Sequence, residues 1–199
     1  SVIMSDIDHF KNVNTQFGHL GGDAALVELA RVIRETVQEE GPEMMPGRYG
    51  GEEFCVLIPG EGPEQALGLA EKIRKRIEAE PIHIGDQVTH ITISIGVSSW
   101  PTHTEHIQAL DDFFRLADEA LYICKDRGRN CSSLYDPEHK RPPAKNYDWH
   151  TSACIENLIP QRSNLCLIFI HLARKAVQRT KKPGRGPVNV DRGPSNSQS

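Results

Sequence analysis

A Gly-Gly dipeptide at positions 50 and 51 separates two short segments that have the composition of β-strands. Arg48 and Tyr49 precede the glycines, and an apolar run at residues 54–58 follows two glutamates. A turn of this kind between strand-like segments is typical of a tight hairpin with antiparallel strands. The pattern therefore predicts an antiparallel pair of strands near residue 50, and Pro59 and Gly60 end the second strand.

The other predicted elements alternate along the chain around this hairpin. Residues 2–8 indicate a buried strand, and residues 91–98 alternate β-branched and small side chains, as a strand does. Apolar residues at intervals of three and four predict helices at 22–40, 63–80 and 107–126. This order predicts an α+β sandwich with helices packed on one mostly antiparallel sheet.

The charge of the chain is divided unevenly. The net charge is −4, but carboxylates dominate residues 1–136, whereas Lys and Arg dominate residues 137–199. The acidic part predicts one globular domain that does not bind nucleic acid nonspecifically. The basic part is interrupted by prolines and ends in a stretch rich in Gly, Pro, Ser and Asn. It predicts a largely disordered tail, although residues 165–178 also fit a basic amphipathic helix on a membrane surface.

Cysteine usage and hydropathy bear on the compartment of the protein. The five cysteines include no C-x-x-C pair, so the reducing cytoplasm is the expected location. No apolar run approaches the roughly 20 residues that span a bilayer, so no membrane span is predicted. The chain begins S-V-I-M, without an initiator Met or a signal peptide, as expected of a fragment.

Several carboxylates lie where folding could bring them together. Asp6 and Asp8 are two positions apart at the end of a predicted strand, so both point to one face. Glu52 and Glu53 occupy the hairpin turn, and Asp23 opens a predicted helix. Carboxylates held close require a neutralising cation, and their oxygens are the ligands that Mg²⁺ prefers. The pattern predicts either a metal site or a set of solvated surface carboxylates.

Five segments of the sequence resemble, in order and spacing, the motifs of one protein family. They are D-I-D-H-F-K-N-V-N at 6–14, F-G-H-L-G-G-D at 17–23, R-Y-G-G-E-E-F at 48–54, T-I-S-I-G-V at 92–97, and A-D-E-A-L-Y at 117–122 followed by Lys125 and G-R-N at 128–130. Over about residues 1 to 135 they resemble the GGDEF family of diguanylate cyclases, whose signature stands here in its GGEEF form.

The resemblance implies a fold and an activity. The fold would be palm-like, of the ferredoxin-like nucleotidyl cyclase type. The activity would be the condensation of two GTP to cyclic di-GMP and pyrophosphate across a homodimer, with Mg²⁺ or Mn²⁺ as cofactor. The alternative is a catalytically silent module that binds GTP and regulates a partner. A generic palm-type nucleotidyltransferase fits less well, because Asn14 and Asp23 match the guanine-reading pair of the family.

The resemblance also implies roles for the carboxylates. Asp6 and Glu52 would hold the metal with help from the carbonyl of Ile7. Glu52 and Glu53 would be the catalytic residues, and either could help to activate the attacking hydroxyl. Asp8 matches the motif as well, but could support the adjoining turn instead of binding metal.

A second set of residues would bind the substrate. Asn14 and Asp23 would read the guanine edge, which needs both donors and acceptors. The phosphates would be contacted by three cationic side chains, those of Lys11, Lys125 and Arg129. The ring of Phe10 would pack beneath the site, and Gly50 and Gly51 would let the ligand approach the backbone.

The chain departs from the family in two places. The inhibitory product site of the family, R-x-x-D, would fall at residues 41–44, where Gly41 and Met44 replace the charged residues. Family domains also begin with a helix and a D-x-L-T-G-L-x-N-R segment before the first strand. The expectation is therefore a GGDEF domain at 1–136 that lacks its N-terminal part, followed by the tail at 137–199.

Overall fold

The computed structural model describes residues 1–100 and 110–139, which form seven strands and three helices. In chain order they are β1 (Val2–Ile7), α1 (Phe10–Glu40), β2 (Met45–Gly50), β3 (Glu53–Leu57), α2 (Pro63–Ala79), β4 (Ile82–Ile84), β5 (Gln87–Thr89), β6 (Ile93–Ser98), α3 (Leu110–Asp126) and β7 (Ser132–Leu134). Five strands build one sheet in the order β2-β3-β1-β6-β7. Its first four strands pair antiparallel and β7 joins β6 in parallel, so the predicted α+β fold with a mostly antiparallel sheet is confirmed.

The helices cover both faces of this sheet. α1 and α2 pack against alternate residues of β1, including Ile3 and Ile7, in the larger core cluster. α3 packs on the opposite face with Val2 and Met4. Because side chains alternate along a strand, Asp6 follows Val2 and Met4 onto the α3 face. The end of β1 thus presents a carboxylate beside α3.

α3 and β6 approach each other closely at Gly96. A Cβ atom on this residue would lie 1.9 Å from the carbonyl oxygen of Ala117 and 2.2 Å from the amide nitrogen of Leu121. Only glycine leaves room for the helix backbone at this distance from the strand. The contact therefore sets the height of α3 above the sheet.

The structure differs from the sequence-based prediction in two respects. α1 begins at Phe10 rather than near residue 22, and Gly18, with φ 70° and ψ 178°, interrupts it. The additional part, residues 10–17, is mostly polar and shows no sustained apolar period that would predict a helix. The hairpin of β4 and β5 and the strand β7 escape prediction because each of these strands has only three residues.

Parts of the sequence-based prediction lie outside the described residues. The third predicted helix begins at residue 107, whereas α3 is described from Leu110. The predicted tail at 137–199 lies outside the described residues from residue 140 onward, and so does its amphipathic stretch at 165–178. In the part of the chain that the structure describes, no helix is long and apolar enough to cross a membrane.

Candidate functional site

The centre of the candidate site is a pair of carboxylates on neighbouring strands. Asp6, near the end of β1, lies directly opposite Glu53 at the start of β3. Ser94 of β6 flanks Asp6 on the other side. Glu52 lies in the turn immediately before Glu53. The structure thus brings together the strand-end and turn carboxylates on which the predicted metal site depends.

Lys125 of α3 reaches the same carboxylates. Its Nζ lies 2.9 Å from Oδ1 of Asp6. Burial raises the pKa of Asp6, the hydrogen bond and charge of Lys125 oppose the rise, and the charges of Glu52 and Asp8 add to it. The raising effects prevail, so Lys125 alone does not offset the burial and negative charge around Asp6. A further cation at this point would stabilise the ionised carboxylate.

Glu53 has a pKa near neutrality. Burial raises the pKa of Glu53 to about 7, and the charges of Asp6 and Asp118 add to the rise, while the charge of Lys125 opposes it. A carboxyl group with this pKa can accept a proton at neutral pH. Asp118 was not predicted as a site residue. The available signal is its position seven residues before Lys125, about two helical turns, which puts both side chains on one face of α3.

Arg48 orients the turn that carries Glu52. Its Nε and Nη2 atoms donate hydrogen bonds of 2.9 and 2.6 Å to the carbonyl oxygen of Gly51. Gly51 has φ 50°, in the left-handed region that glycine adopts without steric cost. The register of the hairpin also shifts between Arg48 and Gly50. Arg48 therefore holds a bulged turn in place, a role that the hairpin pattern alone does not indicate.

The carboxylate of Asp8 is occupied by donors from the protein. Oδ1 accepts a 2.7 Å hydrogen bond from the hydroxyl of Ser94. Oδ2 accepts one of 2.7 Å from the hydroxyl of Thr92 and one of 3.0 Å from the backbone N–H of Asn130. Asp8 is also only 5% exposed. Of the two roles that the sequence left open, these contacts favour support of the neighbouring loop over metal binding.

The two parts of α1 on either side of its interruption meet at Gly22. A Cβ atom on this residue would lie 2.0 Å from Oδ1 of Asn14 and 3.2 Å from Cζ of Phe10. Both side chains therefore pack on the bare backbone next to Asp23. The structure thus brings Asn14 close to the residue with which it is predicted to read guanine, and Phe10 packs against the core below.

A cavity of about 440 Å³ opens between α1 and the hairpin of β2 and β3. Asp23, Arg34 and Arg48 contribute charged groups to its lining, and Leu26 and Phe54 contribute apolar surface. The volume falls in the range of ligand pockets in proteins, about 300–1,000 Å³. Its apolar walls and single lining carboxylate, that of Asp23, suit a flat polar ring such as a nucleobase.

The three predicted phosphate-binding cations lie on separate elements. Lys11 is exposed in the first turn of α1, and Lys125 pairs with Asp6. Arg129 is partly buried in the loop between α3 and β7. The structure brings Lys125 to the end of β1, and the loop of Arg129 adjoins it through the contact between Asn130 and Asp8.

The donors at the end of β1 fit a divalent cation in their chemistry. Asp6 and Glu52 offer carboxylate oxygens, and burial keeps the pKa of Asp6 raised despite its contact with Lys125. Among residues 1–100 and 110–139, no group of three or more His, Cys, Asp or Glu side chains is arranged to hold a metal ion. A metal here would therefore need further oxygen ligands from backbone carbonyls such as that of Ile7, from water or from phosphate.

Comparisons with known proteins agree with this architecture. The family model described as "Diguanylate cyclase, GGDEF domain" matches residues 1–131. Diguanylate cyclase A of Treponema denticola is 39% identical over 134 residues, and the probable diguanylate cyclase DgcF of Escherichia coli K12 is 40% identical over 136 residues. Each match covers 67% of this chain, but only 34% and 42% of the respective relatives.

Solved structures are similar as well. The active GGEEF domain of a diguanylate cyclase from Vibrio cholerae superposes with a TM-score of 0.60 at 38% identity, covering 68% of this chain and 81% of that one. The GGDEF domain of DgcB from Caulobacter crescentus, solved in complex with c-di-GMP, gives a TM-score of 0.58 at 30% identity, covering 67% and 76%. These neighbours confirm the predicted palm-like fold. The chain belongs to the GGDEF family, the domain family of the diguanylate cyclases.

Proposed function

We propose that this domain condenses two molecules of GTP into cyclic di-GMP and pyrophosphate, with Mg²⁺ or Mn²⁺ and between two copies of the chain. The observation that carries the proposal is the cross-strand pair of Asp6 and Glu53. It combines a candidate metal ligand with a carboxyl group whose pKa is about 7, next to Glu52 in the turn. The relatives that are named diguanylate cyclases support the same reaction.

The proposed chemistry is a pair of phosphoryl transfers. The 3′-hydroxyl oxygen of one GTP bonds to the α-phosphorus of the other, and the bond from that phosphorus to pyrophosphate breaks. Glu53, which lies opposite Asp6 on the neighbouring strand, is the carboxylate that accepts the proton lost by the hydroxyl. The reciprocal step closes the ring and releases the second pyrophosphate. Because each subunit binds one GTP, turnover requires two subunits that face each other.

Asp6, Glu52 and the carbonyl of Ile7 would hold the metal in the proposed complex. A bound divalent cation neutralises phosphate charge and favours in-line attack at phosphorus. Lys125 and Arg129 neutralise further phosphate charge through charge-assisted hydrogen bonds.

Recognition of GTP is assigned to α1 and the hairpin turn. The amide of Asn14 and the carboxylate of Asp23 offer the donors and acceptors that a guanine edge requires. Lys11 contacts the phosphates, Phe10 packs beneath the site, and Gly50 and Gly51 let the ligand approach the backbone.

A silent module that binds GTP is the second candidate. The ion pair between Lys125 and Asp6 favours it, because it occupies an oxygen that a catalytic metal would need. The two functions share the nucleotide site and differ in turnover.

The deciding experiment is incubation of the purified chain with GTP and Mg²⁺, with mass spectrometry to identify cyclic di-GMP. Glu52→Gln keeps the shape of the turn but removes a charged ligand, so we expect turnover to fall by about 100-fold or more with an unchanged thermal unfolding curve. Glu43→Gln, at an exposed position before β2, is the matched control and should keep full activity. GTP binding without product supports the silent module, and absence of GTP binding refutes both functions.

A further inference from the structure

The loop between α3 and β7 has an uncommon backbone conformation. Gly128, Arg129 and Asn130 have φ values of 108°, 68° and 47°. Residues with a side chain resist this region, at a cost of about 1–2 kcal/mol each. The loop carries Arg129, the proposed phosphate-binding arginine, so contacts that stabilise this conformation also determine where its guanidinium lies.

Asn130 is the residue through which the loop is held. Its backbone N–H donates to Oδ2 of Asp8 at 3.0 Å. Its side-chain oxygen accepts from Nη1 of Arg74 at 2.7 Å, and its side-chain nitrogen donates to Glu78 at 2.7 Å. Contacts from Asp8, just after β1, and from α2 therefore converge on one residue, next in the chain to Arg129.

Arg74 is itself held firmly on α2. Its side chain is only 10% exposed, and Glu71 and Glu78 accept hydrogen bonds of 2.7 to 2.9 Å from its guanidinium. Glu71 also accepts a hydrogen bond of 3.1 Å from the hydroxyl of Ser132, at the start of β7. This network ties the loop and the strand that follows it to one helix.

Asp8 completes the network from the opposite side. Its carboxylate already accepts from Thr92 and Ser94 in addition to Asn130, and it is buried. A buried carboxylate that three protein donors satisfy has no need of a metal ion.

Resting on the proposed function, we propose that Asp8 and Arg74 are positioning residues that hold Asn130 and thereby present the guanidinium of Arg129 to the triphosphate of GTP. Neither side chain contacts the nucleotide. Their loss weakens binding of the phosphates and leaves recognition of the base unchanged.

The test compares the binding of GTP and of guanosine, which lacks the phosphates, by calorimetry. Arg74→Met should weaken GTP about tenfold, the effect of one charge-assisted contact, and leave guanosine unchanged. Once Arg129→Ala has removed the phosphate contact, adding Arg74→Met should change GTP affinity less than twofold, since coupled residues are not additive. Arg76→Met, on the same helix but paired with Glu39, is the control and should change neither affinity.

Asn130→Gly provides a second variant in case Arg74→Met does not fold. It keeps a residue that tolerates positive φ and removes the contacts to Arg74 and Glu78, so it should show the same selective loss of GTP affinity. Asp8→Asn removes a negative charge near Asp6 but no proposed metal ligand, so it should shift the Mg²⁺ concentration for half-maximal activity far less than Asp6→Asn does. Equal weakening of GTP and guanosine, additivity with Arg129→Ala, or a large shift in the Mg²⁺ requirement of Asp8→Asn would overturn the inference.

Hydrogen exchange separates this inference from the proposed function, because it needs no nucleotide. In Arg74→Met the amide of Asn130 should exchange at least tenfold faster than in the wild type or in Arg76→Met, since its hydrogen bond to Asp8 opens more often. If the wild type does not bind GTP, the proposed function fails. Unchanged exchange at Asn130 would refute the positioning role independently of GTP.

Discussion

Gly96→Ala tests whether the close contact between α3 and β6 governs the stability of the domain. The new Cβ would lie 1.9 and 2.2 Å from main-chain atoms of Ala117 and Leu121, which cannot rotate away as a side chain could. The helix would have to retreat by about 1 Å or more to reach an ordinary contact distance. Overpacking of a core costs about 1–3 kcal/mol, and we expect the upper end of this range because backbone must move.

This loss would be a large fraction of the stability of a domain, which is about 5–15 kcal/mol. At about 4 °C per kcal/mol for a domain of this size, the melting temperature should fall by about 10 °C, as measured by circular dichroism. Gly68→Ala is the matched control, because its Cβ meets nothing within 4 Å in the interior of α2. It should raise stability by about 0.5–1 kcal/mol. A melting temperature for Gly96→Ala within 1 °C of the wild type would refute the reasoning.

Three further predictions concern the site. Asp23→Ala should weaken binding of GTP by about 1.5–3 kcal/mol and binding of ATP much less, because adenine lacks the N–H groups from which the carboxylate would accept hydrogen bonds. Equal losses of GTP and ATP affinity in calorimetry would contradict this role. Cyclic di-GMP should not inhibit noncompetitively at low micromolar concentration, because Gly41 and Met44 offer no charged group to the product. Measuring inhibition by cyclic di-GMP at several GTP concentrations tests this prediction. In metal-free buffer, thermal stability should fall as pH rises from about 4.5 to about 7, because the folded state raises the pKa of Glu53 and so favours its protonated form. Glu53→Gln should lack this part of the pH profile, and an identical profile in the variant would show that Glu53 ionises freely.

Sequence reasoning succeeds here where a pattern is long or a motif is dense. The apolar stripes predict the helices α2 and α3, and the glycines before Glu52 predict the hairpin of β2 and β3. It fails at residues 10–17 of α1, because this part of the helix packs through the contact of Asn14 with Gly22, and such a contact produces no apolar periodicity in the sequence.

The candidate site shows the same limit. Asp6, Glu52 and Glu53 can be selected as candidates because they lie within the segments D-I-D-H-F-K-N-V-N and R-Y-G-G-E-E-F that resemble motifs of the family. The position of Arg74 cannot be recognised in this way, because an arginine between glutamates on a helix has the pattern of a solvated face. Its burial follows from the packing of α2 beside β7, which only the fold reveals.

The central position of β1 has a consequence for the order in which the domain can fold. β1 comes first in the described chain, yet it pairs on one edge with β3 and on the other with β6. During synthesis the second edge stays open until residue 98 has left the ribosome, and such long-range pairing slows folding. Asp8 gains its hydrogen bond from Asn130 later still, because Asn130 lies 122 positions further along the chain. The candidate site is therefore complete only after almost all of the described domain has been made, so an incomplete chain exposes unpaired strand edges before it has a formed site.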